Sequence, residues 1–222
     1  MLHLLDERTK RYGERIALGT KTQLGWKEFT YKGIGLLSRK LGSYLIDDLG
    51  VKKGDRLAIL SESKPEYGAC VFASAMTGMI TVPLDVKLTK YELHSILSDC
   101  EPSVMLVSET YIEKAAELQK ELPFIKDIIV MDEPHPNQGY KSLYNLPENY
   151  EARWRPRSLK STAFIIYTSG TTGAPKGVEI SFLNMMTQLD DLEEALKSIL
   201  PDRKVTVLSI LPMNHLFEMT VG

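Results

Sequence analysis

Ala163-Phe164-Ile165-Ile166-Tyr167-Thr168-Ser169-Gly170-Thr171-Thr172-Gly173-Ala174-Pro175-Lys176-Gly177-Val178 is the stretch on which the reading of this chain turns. Its first four residues form a short apolar run, expected to be a buried strand. From Thr168 on, four hydroxyl residues, three glycines and one lysine crowd into eleven positions. A Ser/Thr/Gly-rich run is by default a solvated connection. Directly behind a buried strand it has another use. Glycines let successive backbone N–H groups turn toward one anion, hydroxyls add donors, and Lys176 adds a point charge suited to phosphate oxygens. The ligand this chemistry fits is a polyphosphate. The segment is not a Walker A loop, which needs Gly and Lys adjacent; here Lys176 follows Pro175.

Outward from this stretch the chain alternates short apolar strands with longer helices. Ile34, Leu37, Leu41, Tyr44 and Leu45 mark a helical stripe over 31–48, ended by Gly50. Leu57-Ala58-Ile59-Leu60 reads as a strand, Pro65 opens a helix to about Thr77, and 79–82 is the next strand. Thr89-Lys90-Tyr91-Glu92 is a capping-box sequence starting a helix that stops near Asp99. A strand at 104–107, a helix at about 109–121 and a strand at 128–130 follow. This pattern predicts an α/β fold with a mostly parallel sheet covered by helices on both faces. Residues 1–131 are expected to form a first α/β portion, 132–160 a long irregular connection, and 161–222 a portion carrying the Gly/Ser/Thr stretch. There Ser181 caps a helix with an apolar face through Phe182, Met185, Met186, Leu189, Leu192, Leu196, Ile199 and Leu200. A buried strand over 205–211 then delivers His215 to its end. In open parallel sheets ligands collect at the carboxyl ends of strands, where both His215 and the Thr168–Lys176 segment are expected.

Composition narrows the partners. The 222 residues are 43% apolar and 25% charged, with a net charge of −2, which gives no reason to expect nucleic acid. Arg153-Trp154-Arg155-Pro156-Arg157 reads as a solvated loop. Cys70 and Cys100 read as reduced thiols of a cytosolic protein. The N-terminus acquires charges too early for a signal peptide. Eighteen uncharged residues, 67–84, reach the lower edge of membrane-span length. Their glycines and Pro83 favour a buried helix followed by a buried strand. His215 and Glu218 have helical metal-ligand spacing, but His94 and His135 lie far away, so no metal site of protein ligands is expected.

Tyr-Thr-Ser-Gly-Thr-Thr-Gly-x-Pro-Lys-Gly-Val resembles the phosphate-binding signature of the AMP-forming adenylating enzymes, the superfamily of acyl-CoA synthetases, peptide-synthetase adenylation domains and firefly luciferase. Phe29-Thr30-Tyr31, the segment 50–59, Gly78-Met79-Ile80-Thr81-Val82-Pro83-Leu84-Asp85 and Leu211-Pro212-Met213-Asn214-His215-Leu216-Phe217-Glu218 resemble further family segments in the family's order. The resemblance implies ATP contacts at Thr168, Ser169, Gly170, Thr171, Thr172, Gly173 and Lys176. It implies Mg2+ held mainly by phosphate oxygens and water, and His215 where the carboxylate meets the α-phosphate. The Asn-His-x-Phe-Glu pattern, with no Asp after it, is similar to fatty-acyl synthetases, so a fatty acid is the expected acid and coenzyme A the expected acceptor. A ligase loading an acyl carrier protein shares the first half-reaction. A non-catalytic nucleotide-binding or scaffold module is the alternative of another class. A cytoplasmic protein is expected, with peripheral attachment at a membrane surface left open.

Two departures stand out. Phe182 occupies the place of the family's histidine, and Thr30-Tyr31-Lys32-Gly33 lacks its acid. Later family segments, the ribose-binding Asp and the mobile domain with its catalytic lysine among them, have no counterpart here. The resemblance therefore implies the N-terminal part of a longer enzyme, inactive by itself.

Overall fold

The computed structural model describes residues 2–23, 25–133, 139–151, 155, 157–168, 175–199 and 206–209. Helix α1 (Leu2–Tyr12) leads into an antiparallel hairpin, β1 (Ile16–Thr22) and β2 (Gly25–Thr30). Helix α2 (Tyr31–Ser43) follows at once, because the Thr30 hydroxyl accepts the Gly33 N–H at 3.0 Å and caps it. It continues as one wider turn, a π-helix over Tyr44–Asp48.

The central sheet has seven strands. In chain order these are β3 (Arg56–Leu60), β4 (Ile80–Leu84), β5 (Val104–Val107), β6 (Asp127–Val130), β7 (Lys141–Ser142), β8 (Thr162–Thr168) and β9 (Lys176–Ser181). Their spatial order is β7-β6-β5-β3-β4-β8-β9; all neighbours run parallel except β8 and β9, which are antiparallel. Helices α3 (Pro65–Thr77), α4 (Lys90–Cys100) and α5 (Ile112–Glu121) cross between the first four strands, and α6 (Phe182–Ile199) follows β9.

Side-chain alternation along the strands explains the two layers. Leu57, Ile59, Val104, Leu106 and Ile129 pack with Leu41, Leu45, Tyr67, Cys70 and Ala73 of the α2–α3 side. Ala58, Leu60, Val82, Met105, Val107 and Ile128 pack with Leu93, Ile96, Leu97, Ala115 and Leu118 of α4 and α5. Strands buried on both faces have to be apolar throughout, which is why 57–60 and 104–107 carry no polar residue.

Local signals set the element ends. Pro65 stands at the first position of α3, where its missing N–H costs nothing. The Thr89 hydroxyl and Glu92 carboxylate close a reciprocal capping box on α4. The uncharged run 67–84 is a helix, a turn and a strand. No described helix is long and apolar enough to cross a membrane.

Several expectations need correction. The sheet is mostly parallel, but Lys176–Val178, read as loop, begin the antiparallel strand β9. The hairpin β1–β2 and helix α1 gave no clear sequence signal. The strand expected over 205–211 is not formed over residues 206–209, which are exposed and outside any strand, with Val207 and Leu208 in solvent. Those four residues have no partner strand among the described residues, so their apolar side chains have nothing to pack on.

Nor is Arg155 or Arg157 solvated. The Arg155 guanidinium donates to the Val51 carbonyl at 2.7 Å, and its backbone N–H donates to Met76 O at 3.0 Å. Arg157 donates to Gly78 O at 2.8 Å and Met79 O at 3.1 Å. The carbonyl-rich end of α3 takes the Arg157 guanidinium and the Arg155 backbone N–H, and the long connection is strapped to it. Leu143 and Leu146 sink into the core on the way.

Gly78 ends α3 at φ 79°, a left-handed position. Gly78→Ala should destabilise the protein by about 1–2 kcal/mol, read as a fall of a few degrees in the thermal unfolding midpoint. An unchanged midpoint would show that the turn accommodates a Cβ without strain.

Candidate functional site

The topological switch of the sheet lies between β3 and β5, the place where open α/β sheets commonly bind ligands. Here that crevice is filled by its own charges. The Ser108 hydroxyl donates to Glu62 Oε2 at 2.5 Å, and the Lys64 ammonium pairs with Asp132 and, at 3.3 Å, with Glu62. The Glu109 N–H donates to the other Asp132 oxygen at 2.7 Å. Beside them the buried Glu66 accepts from Lys27 at 3.0 Å and from the Tyr144 hydroxyl at 2.5 Å. Burial, and next the hydrogen bond to Glu66, push the Tyr144 phenol up. Among the described residues no group of His, Cys, Asp and Glu is arranged to hold a metal ion.

The carboxyl end of β8 is the open alternative. Ala163 and Phe164 are buried against Ala75 of α3 and against Phe182 and Met185 of α6. Beyond them β8 and β9 pair as a hairpin in the register Ile166↔Val178, Tyr167↔Gly177 and Thr168↔Lys176. The register places the Thr168 hydroxyl and the Lys176 ammonium on opposite stems of one mouth, about 4.5–5.5 Å apart at their Cα atoms. Both residues are exposed. Ser169, Gly170, Thr171, Thr172 and Gly173, which the sequence places between them, lie outside the described residues, as does His215.

Gly177 shows why a glycine follows the lysine. A Cβ there would fall 2.9 Å from Ile165 Cγ2 and 3.2 Å from Tyr167 Cζ, because the Tyr167 ring lies against this backbone. The Tyr167 hydroxyl donates to Asp99 in the last turn of α4. Burial, then the Asp99 hydrogen bond, raise the Tyr167 phenol. Burial pushes the neighbouring Cys100 thiol up to about 12, leaving it an inert neutral group. Sequence gave no hint that Tyr167 and Asp99 meet across 68 positions.

The other stem is set by α6. Ser181 and Asn184 exchange hydrogen bonds, Asn184 N–H to Ser181 Oγ at 3.2 Å and Ser181 N–H to Asn184 Oδ1 at 3.0 Å, a reciprocal helix start. Phe182, found where a histidine was expected, is buried, and the Arg157 guanidinium lies 5.7 Å from its ring centre. Its place is one of packing, and it leaves the mouth of the hairpin untouched.

A sequence model of AMP-binding enzymes matches residues 5–222. The chain belongs to the AMP-binding enzyme family. Relatives within it include the human long-chain-fatty-acid–CoA ligase ACSBG1, 28% identical over 95% of this chain and 30% of its own length. The long-chain-fatty-acid–CoA ligase of Salmonella typhimurium is 25% identical over all of this chain and 44% of its own. This chain thus spans less than half the length of either relative. Among solved structures, a long-chain-fatty-acid CoA ligase from Rhodopseudomonas palustris superposes with a TM-score of 0.84 at 23% identity, over 99% of this chain and 54% of that one. An N-terminal domain of FACL13 from Mycobacterium tuberculosis does so with a TM-score of 0.76 at 22% identity, over 99% and 52%. The fold is that of adenylate-forming enzymes of this family.

The filled crevice can be tested through Lys64. Burial lowers its pKa, but the hydrogen bond to Asp132 and the carboxylates of Asp132, Glu62 and Glu66 outweigh it, so the ammonium sits above its ordinary 10.5. Raised in the folded state, it stabilises fully below pH 10.5 and loses that contribution as the pH climbs through the folded value. Lys64→Met should cost about 1.5–3 kcal/mol at pH 7 and flatten the loss of stability above pH 10.5. Urea denaturation across pH 7–12 measures both, and parallel curves for the two proteins would contradict the pairing.

Proposed function

We propose that the chain supplies the triphosphate grip of an ATP-dependent ligase that joins AMP to a carboxylic acid and then passes the acyl group to coenzyme A. The observation that carries this reading is the hairpin mouth, with Thr168 and Lys176 facing each other across paired stems. The family, and the ligase names of the relatives above, supply the reaction class. A fatty acid is the proposed acid, because two of those relatives are named for long-chain fatty acids and because the Asn214-His215-Leu216-Phe217-Glu218 pattern has no aspartate to pair with an amino-acid ammonium.

The donor set fits a polyphosphate. Lys176 offers a charge without an acceptor function and Thr168 a hydroxyl, at facing positions of the hairpin. The intervening Ser169, Gly170, Thr171, Thr172 and Gly173 are assigned further hydroxyl and N–H donors to the β- and γ-phosphates. Attack of the carboxylate on the α-phosphorus breaks the bond to the β-phosphate bridging oxygen and releases pyrophosphate. Charge builds on that leaving group, and fixed donors stabilise it best because they need no reorganisation during the step. Lys176 and the loop donors take this part. His215 is assigned to the carboxylate and α-phosphate junction. Mg2+ carried with the nucleotide would be held mainly by phosphate oxygens and water, a loop hydroxyl being able to join, and would supply further charge neutralisation.

With less than half the length of the relatives above, the 222 residues are assigned the grip and not the complete reaction. By themselves they should show no ATP–pyrophosphate exchange.

In the full-length protein Lys176→Ala should weaken transition-state stabilisation by about 1.5–3 kcal/mol, a loss of roughly ten- to hundredfold in kcat/KM for ATP. The loss should be equal for every acid accepted, since the phosphates are common to all. Hydroxamate trapping over a panel of carboxylic acids reads activity and chain length together. An undiminished rate in the variant would remove Lys176 from the site, and absence of any hydroxamate in the wild type would remove the reaction.

A further inference from the structure

We propose that Tyr167 and Asp99 form a positioning pair that fixes the mouth of the β8–β9 hairpin against helix α4 and so sets the affinity of the loop for nucleotide; the second half of this statement rests on the function proposed above. The need for such an anchor is visible in the sheet. Strand β8 meets β4 at one register pair, Thr81↔Phe164, and among the described residues β9 pairs with β8 alone. From Ile165 onward β8 lies beside β4 with no further register pair, and it is held there by side chains, Ile165 and Tyr167 packing half-buried on the α4–α5 core. Yet this is the part that ends in Thr168 and Lys176.

Tyr167 supplies what the strands do not. It is the last residue before Thr168, and its ring lies on Gly177 of the opposite stem, so one side chain touches both stems. Its hydroxyl reaches off the sheet to Asp99. The end of α4 makes a firm point of attachment. Arg56 of β3 donates through Nε to Cys100 O at 2.5 Å and through Nη2 to Glu101 O at 2.8 Å, and Cys100 is buried. The hairpin mouth is thereby referred to the central strand of the sheet through the side chains of Tyr167, Asp99 and Arg56.

Asp99 is otherwise hard to explain. It is an exposed acid in the last turn of a helix, where the carbonyl end of the dipole disfavours a negative charge. Its value to the fold lies in the hydroxyl it accepts. A phenylalanine at 167 would cover Gly177 equally well, so the ring alone does not account for a tyrosine. Neither residue stands at the mouth itself, and the pair acts through Thr168 and Lys176.

The test uses the full-length protein with Tyr167→Phe, Asp99→Ala, Asp99→Asn and the double variant Tyr167→Phe/Asp99→Ala. Without ligand, hydrogen exchange at the amides of residues 176–178 should rise about three- to tenfold in the Phe and Ala variants, as expected for one lost hydrogen bond. Exchange over 104–107 should stay constant. The double variant should be no worse than either single one, and Asp99→Asn, whose amide oxygen still accepts, should stay within about twofold of wild type. KM for MgATP should rise by the same factor while KM for the acid holds. Additive effects, unchanged exchange at 176–178, or an equal rise in both KM values would each overturn the pair. If MgATP fails to slow exchange over 168–176 in the wild type, the nucleotide reading falls, and the ligand-free exchange still decides the anchor.

Discussion

Burial of the central strands on both sides is the constraint on which the rest of this structure depends. Leu57, Ala58, Ile59 and Leu60 of β3 are wholly shut off from solvent, two toward the α2–α3 layer and two toward α4–α5. Such a strand has no face left for polar chemistry. Everything charged is driven to strand ends and to helix termini, and the contents of those ends then decide where a ligand can go.

Two carboxyl ends illustrate the outcome. At the β3–β5 switch, Glu62, Lys64, Ser108 and Asp132 pair and hydrogen-bond with one another, so the position favoured by topology is occupied by the protein itself. At the end of β8 the polar groups are left facing solvent across a hairpin mouth. The topology is that of a sheet with a usual crevice, while the polar groups left open lie one strand outward from β4. A single departure from parallel order, β9 folding back along β8, creates the opposed stems.

What could be read from the sequence follows the same division. The doubly buried strands at 57–60, 104–107 and 128–130 were legible because burial on both faces forces continuous apolar runs, and Pro65, Gly78 and the Thr89–Glu92 box mark helix ends by local chemistry alone. The β1–β2 hairpin was not legible, since only Leu18 and Phe29 turn inward and pack, half-buried, on α1–α3. Strand β9 was hidden by its own glycine and lysine, residues that signal a loop unless one knows a tyrosine lies across from them. Arg155 and Arg157 look solvated in sequence because nothing local announces the carbonyls of residues 51, 78 and 79 that receive them. Contacts between distant positions, Tyr167 with Asp99 above all, leave no mark in a single sequence. The assignment of residues 169–173 and His215 to a site comes from the resemblance alone, since they lie outside the described residues.

Strand β9 has a neighbour on one side only among the described residues, and four of its six residues face solvent. Its outer row of backbone N–H and C=O groups is a template onto which any extended segment could zip. Two charges, Lys176 and Glu179, are the features that discourage a stray strand from docking there. The rim to which the phosphate donors are assigned above is therefore also, among the described residues, an open edge of this sheet.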